Sequence, residues 1–193
     1  MLYYKDPAGG EYHYTFDARG NMLTLDGPLG LHKDWDYNLK NLVQSKTEKV
    51  DENTSRTFNY VYDENGNLVQ FCLPLGDCGT ITYTATGLPE QLNDLRGKTT
   101  VNSYDSEGDH INVTDPDGAI TRFDHDGLGR IIGKTKPLGN FYTYVFDENS
   151  NLTAVHGPSG FHIGYAYDAN NKLQKSVDPN GGEILYSYTK SGS

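Results

Sequence analysis

Tyr165-Ala166-Tyr167-Asp168-Ala169-Asn170-Asn171-Lys172-Leu173, with Asp178-Pro179-Asn180-Gly181 after it, decides the fold. Both segments recur upstream at a constant step of 21 residues. The step carries Asp168 to Asp147, Asp126, Asp105, Thr84 and Asp63, and Gly181 to Gly160, Gly139, Gly118, Gly97 and Gly76. Two independent ladders that share one period without slipping mark an array in which each unit leans on its neighbours.

Within one period the chain alternates before the acid. Aromatics stand one and three residues upstream in Tyr60/Tyr62, Tyr144/Phe146, Tyr165/Tyr167 and Tyr186/Tyr188, and the residues that alternate with them are mostly small or polar, such as Asn59, Thr143, Ala166 and Ser187. Strict alternation predicts a half-buried strand with its aromatics on one face, and strands in register stack those aromatics in cross-strand rows. The chain then turns. In Asp17-Ala18-Arg19-Gly20, Asp63-Glu64-Asn65-Gly66, Asp105-Ser106-Glu107-Gly108 and Asp126-Gly127-Leu128-Gly129 the acid opens the turn, where its carboxylate accepts backbone N–H bonds. Glycine closes it at positive φ. Asp147 and Asp168 open the same turn, with Ser150 and Asn171 in the glycine slot. A second strand leads to a second turn in which proline presets φ and glycine closes: Pro74/Gly76, Pro116/Gly118, Pro137/Gly139, Pro158/Gly160 and Pro179/Gly181.

These elements predict an all-β fold of antiparallel hairpin repeats forming one spiralling sheet, about 17 strands and on the order of 80 Å long. Residues 1–193 read as a single array, regular over 59–193 and irregular over 31–58, with an extended charged loop near 46–56. Asn38 to Lys49 is the best helical candidate, but its polarity and irregular spacing make it loop or strand. Met1 enters the repeat in mid-strand, which reads as a piece of a longer chain. At the other end Thr189 takes the Asp slot and Gly192 follows three later.

Composition narrows the function. With Lys+Arg 16 against Asp+Glu 26 the net charge is −10, so no basic face is expected for nucleic acid or anionic membrane. No apolar run approaches a membrane span. Cys72 and Cys78 flank one turn; a hairpin disulfide and a coincidental free pair both fit. Gly127-Leu128-Gly129-Arg130-Ile131-Ile132-Gly133 is one residue too long for a dinucleotide fingerprint and sits in a hairpin turn. The six histidines are scattered, and packing is their expected role. Neither catalytic residues, nor a cofactor, nor a metal site is expected.

Thr121-Arg122-Phe123-Asp124-His125-Asp126-Gly127-Leu128-Gly129-Arg130-Ile131 resembles the signature of the YD-repeat, or Rhs-repeat, family, with Phe123 and His125 in tyrosine slots. Tyr62-Asp63-Glu64-Asn65-Gly66-Asn67-Leu68 is similar to it as well. The resemblance covers nearly the whole chain and is weakest from Trp35 to Arg56. It implies a segment of a hollow shell of the kind found in bacterial Rhs toxins, insecticidal toxin complexes and teneurins, and a secreted or cell-surface location. Shell-forming members end in a self-cleaving segment with two closely spaced Asp-Pro-x-Gly-Leu elements. Here Asp115 and Asp178 are three repeats apart, with Ala119 and Gly182 in place of leucine, so self-cleavage is not carried over.

The leading expectation is therefore a non-enzymatic scaffold that encloses or presents another component. Its partners are other YD-repeat segments or copies of itself, through β-edge pairing. Two alternatives follow from other features. A head-to-tail filament uses the strand edges, and a carbohydrate- or receptor-binding module uses the tyrosine rows.

Overall fold

A computed structural model describes residues 1–188 of the chain. They are all-β and antiparallel, interrupted only by two short 3-10 turns at Pro28–Gly30 and Pro158–Gly160. The chain divides into two units, Met1–Thr100 and Val101–Ser193.

The first unit holds β1 (Leu2–Lys5), β2 (Glu11–Phe16), β3 (Met22–Asp26), β4 (His32–Tyr37), β5 (Val43–Lys49), β6 (Ser55–Tyr62), β7 (Leu68–Cys72), β8 (Cys78–Tyr83) and β9 (Pro89–Asn93). Each pairs antiparallel with the strand before it. The second unit takes over within β10 (Thr99–Tyr104). It continues through β11 (His110–Thr114), β12 (Ile120–His125), β13 (Ile131–Thr135), β14 (Phe141–Phe146), β15 (Leu152–His156), β16 (His162–Tyr167), β17 (Leu173–Val177) and β18 (Glu183–Leu185), paired in the same way. The Thr189–Gly192 turn read from the sequence lies outside the described residues.

Two kinds of hairpin alternate because two kinds of turn do. After each Asp turn the register slips by one residue. Val61 faces Gln70 but Tyr62 faces Leu68, so Val69 is a bulge. The same slip recurs at Thr15/Phe16, Ser103/Tyr104, Asp124/His125, Val145/Phe146 and Ala166/Tyr167, and at Asp36/Tyr37 and Thr82/Tyr83, where Asn38 and Thr84 open the turn in place of the acid. A bulge adds one residue to one strand and increases the local twist. It also brings Leu68 and Phe71, three residues apart, onto one face opposite Tyr62 and Tyr60. The second strand of each repeat therefore departs from the strict alternation of the first.

The long repeat over 31–58 is a lengthened hairpin. β5 and β6 carry the charged residues on their arms, and the chain reverses over 50–54.

Each unit is a single layer. Among the described residues no hydrophobic side chain is buried. Registered pairs sort the side chains into two faces. In the first unit Tyr12, Tyr14, Leu25, Trp35, Tyr37, Phe58, Tyr60, Phe71, Ile81 and Tyr83 share one face. The other carries polar residues such as Thr15, Thr24, His32, Thr47, Thr57 and Asn93. In the second unit Phe123, Tyr142, Tyr144, Phe146, Ile163, Tyr165 and Tyr167 again share a face.

Candidate functional site

The repeated chemistry starts at the Asp turn. Asp63 Oδ1 accepts the backbone N–H groups of Asn65 (2.9 Å) and Asn67 (2.8 Å), and Oδ2 accepts the Asn67 side-chain amide at 2.9 Å. The Gly66 N–H donates to the Asp63 carbonyl at 3.1 Å, and Gly66 has φ 94°. One carboxylate thus satisfies the donors that a reversing chain cannot pair with itself. Asp17, Asp105, Asp126, Asp147 and Asp168 accept the equivalent N–H pair. Asp115 and Asp178 do the same in the Pro-x-Gly turns.

These bonds favour the charged form. The Asn21, Asn67 and Asn151 side-chain amides hold the carboxyls of Asp17, Asp63 and Asp147 below the usual range, and the Arg130 guanidinium does the same for Asp126.

Gly20, Gly108, Gly129, Gly76, Gly118, Gly139 and Gly181 all have positive φ. Asn41, Ser150 and Asn171 occupy the same left-handed position without being glycine, at φ 61°, 67° and 60°. Where glycine also opens the turn, at Gly27 and Gly157, the geometry changes. Leu29 and Ser159 turn left-handed as well, just before Gly30 and Gly160. A Cβ at Gly157 would lie 2.8 Å from the Tyr142 ring, so the missing side chain lets that ring cross the turn.

The tyrosine that precedes the acid has a role that composition does not reveal. The Tyr62 hydroxyl donates to the Val43 carbonyl at 2.9 Å. Tyr37 reaches Met22 (2.9 Å), Tyr83 reaches Leu68 (2.9 Å), Tyr167 reaches Leu152 (3.0 Å) and Tyr188 reaches Leu173 (2.9 Å). Each acceptor is the first residue of a bulged strand. The ladder to the tyrosine's own strand stops two residues short of it: β15 and β16 pair only as far as Ala154 and Gly164. The hydroxyl supplies the donor that the ladder no longer does. Burial raises the Tyr37, Tyr62 and Tyr167 hydroxyls, as a phenol held in the proton-donating form requires.

Three slots lack the hydroxyl: Phe16, Phe146 and His125. His125 Nδ1 is buried without a hydrogen-bond partner. It stands beside a hollow lined by Asp105, Glu107, Asp109, Asp124 and Asp126. Among the described residues no group of three or more His, Cys, Asp or Glu side chains is placed to hold a metal ion.

The aromatic face is knit by ring contacts. Tyr60 lies 5.5 Å from Phe71, and Phe58 stacks on Phe71 at 6.4 Å. Tyr144 and Tyr165 stand in the same row position as Tyr60, opposite Val155 and Ser176. The Arg130 guanidinium covers the Phe146 ring at 4.7 Å. The Tyr186 hydroxyl lies 3.3 Å from Ser176 Oγ. In the lengthened hairpin Lys46 takes a row position between Trp35 (6.0 Å) and Phe58 (5.9 Å). Its ammonium group also pairs with Glu48 at 2.7 Å, as Lys33 does at 2.9 Å. Those two lysines hold the Glu48 carboxyl down to about 2.

The polar face carries matched cross-strand pairs. Cys72 and Cys78 face each other and are joined, S–S 1.98 Å. At the equivalent place Asp26 pairs with His32 at 2.6 Å, and Asp34 holds the other ring nitrogen at 2.9 Å. Asp26 raises the pKa of His32. Thr15 and Thr24 share a hydroxyl hydrogen bond at 2.7 Å, Thr47 and Thr57 one at 3.0 Å.

Sequence reading placed the Asp, Gly, Pro and aromatic residues by position. The Cys72–Cys78 disulfide is one of the two readings that the sequence allows; the hydroxyl-to-carbonyl bonds, the bulges and the other polar-face pairs were missed. The readable signal for the bulge is the apolar spacing of three in Leu68/Phe71 and Leu152/Val155, which neither strand nor helix explains alone.

Comparison with known proteins gives a consistent picture. A model of the RHS repeat family matches residues 104–140, 125–162 and 146–183. No curated protein sequence matches. Among solved structures, the crystal structure of TcdB2-TccC3 without the hypervariable C-terminal region is similar, with TM-score 0.65 and 12% identity over 97% of this chain and 14% of that one. TcdB2-TccC3-TEV is similar with TM-score 0.61 and 16% identity, over 97% of this chain and 13% of that one. The Photorhabdus luminescens Tc holotoxin pore with a mutated TccC3 gives TM-score 0.57 and 13% identity, over 99% of this chain and 15% of that one. The chain thus spans about a seventh of the length of these structures.

Proposed function

We propose, from the premise that this chain carries Rhs repeats, that it is a structural wall: a scaffold segment that encloses or presents another component of a secreted or cell-surface protein. The observation that carries this reading is the single layer. Hairpin follows hairpin, each paired with its neighbours in sequence, and no described hydrophobic side chain is buried. A globular enzyme builds a core and hangs its site on it; here the same bonds repeat at every turn. The aspartates that chemistry would need are engaged as acceptors of backbone N–H groups, which suits a non-catalytic role. The Cys72–Cys78 disulfide supports an oxidising, extracytoplasmic compartment.

The proposal predicts that the two faces of the sheet differ in access. Ile81→Cys on the aromatic face and Thr82→Cys on the polar face are introduced one at a time into the longest chain that carries this segment. Both are labelled with a bulky maleimide. A wall gives strong labelling on one face and little on the other; equal labelling of both faces removes the enclosing role. Light scattering over a hundredfold concentration range separates the second role, self-assembly. Growth into regular fibres places filament formation ahead of enclosure.

A further inference from the structure

Two histidines face each other across the hairpin closed by Gly157-Pro158-Ser159-Gly160. His156 on β15 lies opposite His162 on β16. Their Nδ1 atoms are 3.2 Å apart and their ring centroids 4.8 Å apart. Both side chains are exposed.

Other hairpins hold a bonded pair at this position. Lys5 and Glu11 form an ion pair, Asp26 and His32 another, Cys72 and Cys78 a disulfide, and Asn93 and Thr99 a hydrogen bond. The histidine pair differs in chemistry. Two imidazolium rings repel, and two neutral rings share a single hydrogen. What they offer jointly is two imidazole nitrogens 3.2 Å apart, each with a lone pair in one tautomer.

Nitrogen ligands bind zinc at about 2.0–2.1 Å in tetrahedral geometry, which sets two of them roughly 3.3 Å apart. The Nδ1 separation already has this bite. We propose that His156 and His162 chelate one divalent transition ion of the zinc, copper and nickel class through their Nδ1 atoms. The ion closes this hairpin as the disulfide closes the one between β7 and β8. Imidazole suits these metals and not calcium or magnesium. Each neutral ring donates the Nδ1 lone pair and carries its one proton on Nε2. Among the described residues no third His, Cys, Asp or Glu completes the set, so water fills the remaining positions.

The test is a titration of the whole chain with zinc chloride at neutral pH, followed by calorimetry and by the nitrogen resonances of the imidazole rings. The expected result is one ion per chain, saturating below about 1 mM, with both Nδ1 resonances shifting together and EDTA reversing the shift. His162→Gln weakens binding at least ~10-fold, while His32→Gln leaves it unchanged. Three outcomes overturn the proposal: no saturation in that range, unaltered binding in His162→Gln, or ligation through Nε2 instead of Nδ1. The resonance readout comes from the native chain, so it decides even if the variant folds poorly.

Discussion

At the scale of single residues the fold depends on groups that a turn or a bulge would otherwise leave unpaired. Gly129 has φ 75°, and a Cβ there would lie 3.1 Å from Asp109 Oδ1. Gly129→Val should cost about 2 kcal/mol, because a branched side chain is forced into the left-handed region. A denaturant melt with an unchanged midpoint would contradict that. Tyr62→Phe leaves the Val43 carbonyl without its donor and should cost about 1 kcal/mol. His125→Tyr tests the same rule in the stabilising direction. It removes the unpaired buried Nδ1 and places a hydroxyl in a slot where five other tyrosines bond a carbonyl. The melting temperature should rise; a fall would mean the slot cannot take the ring. The ionisable groups predict two limbs in stability against pH. Asp17, Asp63, Asp94, Asp126 and Asp147 have carboxyls held below the ordinary 3.8. Their contribution is present above that value and lost as pH falls through the lower folded-state value. His32 runs the other way. Its raised pKa contributes stability below 6.5 that is lost as pH rises through the folded-state value. Melting temperatures across pH should therefore show a steep acid limb and a small alkaline one, and Asp26→Asn should reduce the alkaline limb.

At the scale of the element, the unit is the hairpin with its bulge and the tyrosine that reaches back to it. The first strand of a repeat was legible because aromatics alternate with small residues, as in Tyr165-Ala166-Tyr167. The second strand was not, because the bulge moves Leu68 and Phe71 to one face at a spacing of three. The charged run over 46–56 shows the same limit. Its composition resembles a solvated loop, yet it forms the arms of β5 and β6, and Lys46 sits in the aromatic row between Trp35 and Phe58. A long cation with an apolar stem substitutes for a ring when its charge is paired, here with Glu48. The disulfide acts within one hairpin as well. It closes a short loop, so reducing it, or Cys72→Ser, should lower stability by about 2 kcal/mol. An unchanged melt under reductant would show that the ladder alone fixes this turn.

At the scale of the whole molecule, stability comes from ladders and surface rows instead of a core. Leu29, Leu75, Leu39 and Leu138 are more than nine-tenths exposed, and no hydrophobic residue among those described is buried. Its apolar side chains are at most partly covered, so unfolding exposes less new apolar surface than unfolding a layered domain of this length. Its heat-capacity increment should fall below the usual ~12–15 cal/mol/K per residue. Scanning calorimetry giving a full globular increment would require apolar burial that this chain does not show. The net charge of −10 adds self-repulsion, so moderate salt should raise the melting temperature.

The sequence by itself determined the period, the two turn types and the all-β antiparallel class. Turns depend on local backbone sterics and side-chain acceptors that lie within five residues of one another. Only the tertiary structure decided which polar groups meet across strands. The Tyr62–Val43, Asp26–His32 and His156–His162 encounters depend on register: the ladder of β4 and β5 slips by one residue at Val43, and the unslipped ladders across the Pro-x-Gly turns set Asp26 opposite His32 and His156 opposite His162. A one-residue slip changes every cross-strand partner. For this reason the ladder of aspartates could be read from the chain, and the bonds between neighbouring hairpins could not.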